Sequence, residues 1–311
     1  MGRVLTKNWL KLIVIFCTAF GLTLVGAMAV KTYYQHRAGE TSTDSNEVEA
    51  ATTNEPIVTT PTEVSPKPQF ISLQPIVDSW SVNNPNTSVL VYDLDNDLIA
   101  AEYNADVVRE IASIYKLFYV YDGYLRLSAG LDDPTEIIAN VPEKGGNLTL
   151  TTCLDLMVRE SYNPCADPIR ADSARTARVN AIIDELGLAE TSNAGLNSSA
   201  RNITTLMQTL WQHEGISEEY WQQFMDSMLN QPKTTYDWRQ GLPAGFSDAA
   251  QVYDKVGWYS PDGYHWSYYN DAAFVVFPSE NRHYIVICFI KNGFPSAARA
   301  LAAQLEAAIM L

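Results

Sequence analysis

Positive charge is scarce in this sequence. Across 311 residues, 21 lysines and arginines face 36 aspartates and glutamates, a net charge of −15. Binding a phosphate backbone needs a basic stripe or patch, and none is present, which excludes nucleic acid as a partner. Cysteine is scarce too, with 4 residues. Cys17 lies in an apolar N-terminal run, which leaves Cys153, Cys165 and Cys288 for the body of the chain. Three thiols cannot all pair within one chain, and no Cys/His cluster has metal-ligand spacing, so no metal and no cofactor is expected. Each of the three reads as a small buried hydrophobe, or Cys153 and Cys165 as the two ends of a bridge in an oxidising space. No internal repeat is present. The composition, 47% hydrophobic and 18% charged, is that of a globular protein with a sizeable core.

The N-terminus carries a targeting signal. Arg3, Lys7 and Lys11 precede an uncharged run over residues 12–30, and Lys31 follows it. Such a run just spans a bilayer as a helix, and the basic leader holds its start in the cytoplasm. A membrane anchor over 1–31 is therefore expected, with a cleaved signal peptide ending at Ala27-Met28-Ala29 as the rival reading. Phe16 stands where a lipoprotein needs a small residue before Cys17. On either reading the body of the chain leaves the cytoplasm. Residues 32–68 are rich in Thr, Ser, Pro and Glu and hold almost no large apolar groups, the composition of a disordered stalk.

The globular part covers 69–311. A short helix is expected over 73–80, then strands over 89–94 and 98–103 joined by an Asp95-Asn96-Asp97 turn. Leu117, Val120, Tyr121 and Tyr124 recur at helical spacing behind Ser113, and Gly130 closes that helix. Residues 149–158, 173–186 and 204–212 also read as helices. Strands return over 252–258, 272–277 and 284–290, and an alanine-rich helix covers 296–310. The order is helix, two strands, a helical middle, three strands, helix. An α+β fold follows, with strands from both ends of the chain in one antiparallel sheet, terminal helices over it and a helical second lobe. A groove between sheet and lobe is the natural substrate site.

Three short patterns carry chemistry. Ser113-Ile114-Tyr115-Lys116 puts a hydroxyl and an amine on one face at a helix start, where a desolvated lysine can take the serine proton. Ser161-Tyr162-Asn163 falls in an interhelical turn, where serine and asparagine are also ordinary helix caps. Lys255-Val256-Gly257 lies in an apolar strand, where a lysine needs a reason and a glycine permits close backbone approach. Each pattern alone recurs by chance. Ser81-Val82-Asn83 has the pattern of the second, and Lys144-Gly145-Gly146 and Lys291-Asn292-Gly293 share that of the third, reading as a loop and a strand-end turn.

In that order and those contexts the three resemble the Ser-x-x-Lys, Ser-Asp-Asn and Lys-Thr-Gly signature of class A β-lactamases and penicillin-binding proteins. The resemblance extends to Leu125-Arg126-Leu127-Ser128-Ala129-Gly130, to Leu148–Thr152 with Asp155-Leu156-Met157, to Glu185-Leu186-Gly187-Leu188 and to Tyr269-Asn270-Asp271. It implies a β-lactamase/DD-peptidase-like fold with a five-stranded antiparallel sheet. Ser113 is then the nucleophile, Lys116 its base, and Ser161 the relay to the leaving nitrogen. Asn163 would hold a substrate amide, and Lys255 would supply positive potential. Gly257 and Trp258 line the substrate, with the N–H groups of Ser113 and Trp258 as oxyanion hole. A β-lactam or a peptidoglycan peptide is the implied small-molecule partner.

Two departures bear on the chemistry. Class A β-lactamases carry a deacylating glutamate on a long loop; here only residues 188–202 are available, with Glu190 their sole carboxylate and read as a surface acid. Val256 replaces the usual hydroxyl residue and cannot donate a hydrogen bond. Tyr162 replaces an acid. Tyr253, Trp258, Tyr259, Tyr264, His265, Trp266 and Tyr268 read as strand packing or as an aromatic rim. Three functions stay open: a β-lactamase, a DD-peptidase or esterase with slow deacylation, and a non-catalytic module that binds peptidoglycan or a protein.

Overall fold

The computed structural model describes residues 67–229, 240–260 and 267–311. One compact unit, Val64–Leu311, contains them all. The run at 12–30 and nearly all of the 32–68 segment lie outside the described residues, as do Tyr264, His265 and Trp266. Among the described residues no helix is long and apolar enough to cross a membrane.

The chain opens with α1 (Gln74–Ser81), then β1 (Thr87–Asp93) and β2 (Leu98–Tyr103). A short strand, β3 (Arg109–Glu110), leads through a 3-10 turn at Ala112–Tyr115 into α2 (Lys116–Ser128). The helical lobe continues with α3 (Leu150–Arg159), α4 (Asn163–Ala171) and α5 (Ser173–Glu185), after a hairpin of β4 (Ile137–Val141) and β5 (Gly146–Thr149). A second short strand, β6 (Asn197–Ser198), precedes α6 (Ala200–Gln212) and α7 (Glu218–Leu229). The chain ends with β7 (Gln251–Tyr259), β8 (Tyr268–Phe277), β9 (Arg282–Lys291) and α8 (Pro295–Ile309).

The five long strands form one antiparallel sheet in the order β2-β1-β9-β8-β7, so both chain ends contribute to it as expected. Both faces are covered. Ile285, Ile287 and Phe289 of β9 meet the helical lobe, while Val286, Cys288 and Ile290 pack under α1 and α8 with Val77, Trp80, Leu301 and Leu305. Alternate residues of one apolar run thus serve two cores, each fully buried side chain contributing about 1.5–3 kcal/mol. Cys288 is a free, buried thiol of that second core.

The differences from expectation have local causes. Lys144-Gly145-Gly146 is not a plain loop but the turn of the β4–β5 hairpin, where Gly145 and Gly146 take φ of 93° and 104°. The α4 helix carries Pro164 in its first turn and Pro168 inside, two residues that read as breakers. The α6 helix starts at Ala200, ahead of the expected Thr204, because Ser199 caps it by accepting from Asn202 N at 3.2 Å. The α7 helix is absent from the sequence expectation.

Two features of the fold fix its centre. Cys153 and Cys165 form a disulfide that ties α3 to α4 on either side of Ser161-Tyr162-Asn163. Gly257 of the edge strand β7 lies directly against the Ser113 turn. A Cβ there would meet Ile111 O at 2.4 Å and Ile114 N at 2.9 Å, backbone atoms that cannot swing aside.

Both make testable claims. With a sequence separation of 12 between the cysteines, the C153S/C165S variant should lose about 3 kcal/mol in urea unfolding. An unchanged midpoint would mean that packing alone holds the two helices. Gly257→Ala should cost about 1–3 kcal/mol by forcing strand and turn apart; full stability in the same assay would refute the close approach.

Candidate active site

The Ser113 turn is built under constraint. Ala112, just before the serine, is buried and sits at φ 45°, a left-handed conformation that costs a residue with a Cβ about 1–2 kcal/mol. Neighbours hold it there. Ile111 N donates to Leu196 O at 2.7 Å, β3 pairs with β6, and the buried Asn270 side chain donates to Glu110 O at 2.8 Å. Asn270 belongs to the Tyr269-Asn270-Asp271 segment, and supporting the turn is what it does here.

Ser161 occupies a second left-handed position, φ 54°. Its backbone reverses between α3 and α4, which turns the Ser161 carbonyl towards α2 and brings Asn163 to the first position of α4. Both then converge on Lys116. The lysine side chain is fully buried, with Nζ 2.6 Å from Ser161 O, 2.7 Å from Asn163 Oδ1, 3.1 Å from Ser113 Oγ and 3.3 Å from Ser161 Oγ. The two shortest partners are carbonyl-type oxygens, which accept only. A neutral amine satisfies both with its two N–H bonds and leaves its lone pair to the hydroxyls of Ser113 and Ser161. Burial supports that state: it pushes the Lys116 amine down to about 7, against the opposing pull of the Asp167 charge.

Lys255 approaches from β7. It is also fully buried, and its Nζ donates to Ser161 Oγ at 2.9 Å and to Val256 O at 2.6 Å. Burial and the nearby Lys116 charge drive its amine below the ordinary lysine range, while Asp254 and Asp271 resist. When Lys116 is neutral that repulsion disappears, and the two buried carboxylates are left to oppose the effect of burial alone. Ser161 Oγ thus lies between two buried amines.

Five expected residues, Ser113, Lys116, Ser161, Asn163 and Lys255, therefore meet around one point. Gly257 lies beside them through its backbone contact with Ile111 and Ile114, and Trp258 follows, half-buried against the second core. Val256 points away into that core at 1% exposure, so its side chain has no face on the site. Tyr162 is at the rim, with the Lys144 ammonium 5.4 Å from its ring centroid. Glu190 is exposed and accepts from Asn202 Nδ2 at 3.0 Å. Sequence reasoning passed over Asp167, Arg170 and Asn193. The first lies four residues beyond Asn163, one turn along the same helix face, and that spacing was the signal available.

The sequence pattern of the beta-lactamase enzyme family matches residues 73–310. Among solved structures, a beta-lactamase from Chitinophaga pinensis is 16% identical, with TM-score 0.64, over 75% of this chain and 96% of that one. A PBP-A variant, described as an acyl-enzyme complex with penicillin G, is 20% identical with TM-score 0.63, over 76% and 96%. An ancestral class A beta-lactamase is 17% identical with TM-score 0.63, over 76% and 98%. No curated protein matches. These structures share the fold, and the family pattern runs from α1 almost to the end of α8: the chain belongs to the beta-lactamase enzyme family.

Proposed function

We propose that this protein is a serine hydrolase that works through an acyl-enzyme on Ser113. It acts outside the cytoplasm on a D-alanyl cell-wall amide, or on a β-lactam that mimics one. The observation that carries this reading is the 3.1 Å contact of Ser113 Oγ with a Lys116 amine whose N–H bonds are already committed to Ser161 O and Asn163 Oδ1. Lys116 takes the Ser113 proton as Oγ attacks the carbonyl carbon, and the N–H groups of Ser113 and Trp258 receive the developing oxyanion. Ser161 then passes a proton to the leaving nitrogen. Asn163 holds the substrate amide, and Lys255 draws in a substrate carboxylate without help from Val256. A PBP-A variant of this fold is described as an acyl-enzyme with penicillin G.

Within this reading a DD-peptidase or esterase is favoured over an efficient β-lactamase. The specific reason is the loop after α5: its one carboxylate, Glu190, is bonded to Asn202 and faces solvent. Release of the acyl group is then slower than its formation. The Cys153–Cys165 bridge suits an oxidising compartment, which supports export through the N-terminal run and attachment to the membrane by it, with 32–68 as a stalk.

A fluorescent penicillin tests the reading. Labelling should appear as a burst followed by slower turnover, and Ser113→Ala should abolish it. Lys116→Ala should slow acylation by about a hundredfold or more. Because the base must be neutral, acylation should fall about tenfold per pH unit below pH 7 and level off above it, following an amine at about 7. Glu190→Gln should leave release of the label unchanged. Labelling of Ser113→Ala, or parental acylation by Lys116→Ala, would contradict the mechanism.

A further inference from the structure

A cleft of about 630 Å3 opens between α4, α5 and residues 191–194, and it adjoins the nucleophile turn through the contact of Arg170 with Tyr115. Its position follows from the short connection after α5. That connection is pinned by side chains of the helical lobe: Arg170 donates to Asn193 O at 3.2 Å and Ala194 O at 3.3 Å, and Asn193 Nδ2 donates to Tyr119 OH at 2.6 Å. Arg170 is itself set by Tyr115, its guanidinium 5.4 Å from the ring centroid. Held this way, the connection presents backbone and an amide to the cleft and no carboxylate of its own.

The acid comes from the other wall. Asp167 lines the cleft on α4, one helical turn beyond Asn163, whose Oδ1 is bonded to Lys116. Residues four apart stack on one face, so the Asp167 carboxylate continues the row that Asn163 begins. Among the described residues it makes no hydrogen bond or ion pair, so its oxygens remain open to the cleft. Its charge reaches the nucleophile turn, where it opposes the downward shift of Lys116 and adds to the burial that raises Tyr115. Asp184 lines the same cleft without any such influence.

Resting on the acyl-enzyme reading above, we propose that Asp167 is the general base for deacylation, replacing from the α4 helix the carboxylate that the short loop lacks. A water entering through the cleft gives one proton to Asp167 while its oxygen bonds to the acyl carbon of the Ser113 ester. The tetrahedral adduct collapses, the bond from carbon to Ser113 Oγ breaks, and the free carboxylic acid leaves. The proton travels from Asp167 through cleft water and Lys116, 3.1 Å from Oγ, to restore the serine hydroxyl. No other reactant is needed.

The test separates the two halves of the reaction. The protein is labelled with a fluorescent penicillin, chased with unlabelled penicillin, and followed for burst and for loss of label. At a pH above the Lys116 titration, the burst in Asp167→Asn should keep its size and rate while loss of label slows by about a hundredfold, the usual scale for a general base. Asp167→Glu should recover part of the loss, whereas Asp184→Asn and Glu190→Gln should match the parent. Retention of the burst and of the melting midpoint distinguishes a base from a structural residue. If Asp167→Asn bursts normally and releases label at the parental rate, Asp167 is not the base. The same follows if Glu190→Gln is the slow variant. If the parent protein shows no burst, the acyl-enzyme reading fails and this assignment with it.

Discussion

The structure is organised around one desolvated amine. A lysine in water is a poor base at neutral pH because it is already protonated. Full burial of Lys116 removes the solvation that holds that proton, and two carbonyl-type acceptors then orient the nitrogen towards Ser113. Each remaining element of the site supplies one condition for this arrangement. The turn at Ser161 provides the carbonyl, the start of α4 provides Asn163, and the edge strand β7 closes the space with Lys255 and a residue that has no Cβ.

These conditions have a conformational cost. Ala112 and Ser161 both hold left-handed backbone, at roughly 1–3 kcal/mol each for residues outside glycine. Lys116 adds a pH-dependent term. Its amine is lowered from 10.5 to about 7 in the folded state, so the cost to stability is complete below pH 7 and fades as pH rises through 10.5. The stabilising side is local and identifiable: the disulfide between α3 and α4, the β3–β6 pair, and Asn270 beneath Glu110 O. The same elements that offset the strain are the ones that hold the nucleophile and its base in register.

Much of this was legible in the sequence because it rests on local periodicity and short spacing. The continuous apolar runs of β8 and β9, the helical recurrence of Leu117, Val120 and Tyr124, and the serine three residues before Lys116 need no tertiary information. What escaped depended on tertiary context. The α4 helix was obscured by Pro164 and Pro168, whereas α7 was missed although Trp221, Phe224 and Met228 recur at helical spacing. The Cys153–Cys165 bridge was one of two readings, and choosing it required their helices to be side by side. Val256 was read as a substrate-facing position that had lost a hydroxyl, yet strand alternation buries it in the second core. Asp167 stood one turn beyond a residue already singled out, but only the cleft beside it gives that carboxylate something to face.

The central claim, that Lys116 is neutral at the pH where the site works, is open to direct observation. Lysine side chains labelled with nitrogen-15 or carbon-13 can be titrated by NMR in the intact protein, with Lys116→Ala identifying the signal. The account predicts a Lys116 titration near 7, well apart from the surface lysines. A Lys116 signal that stays protonated up to the ordinary lysine value of 10.5 would contradict it.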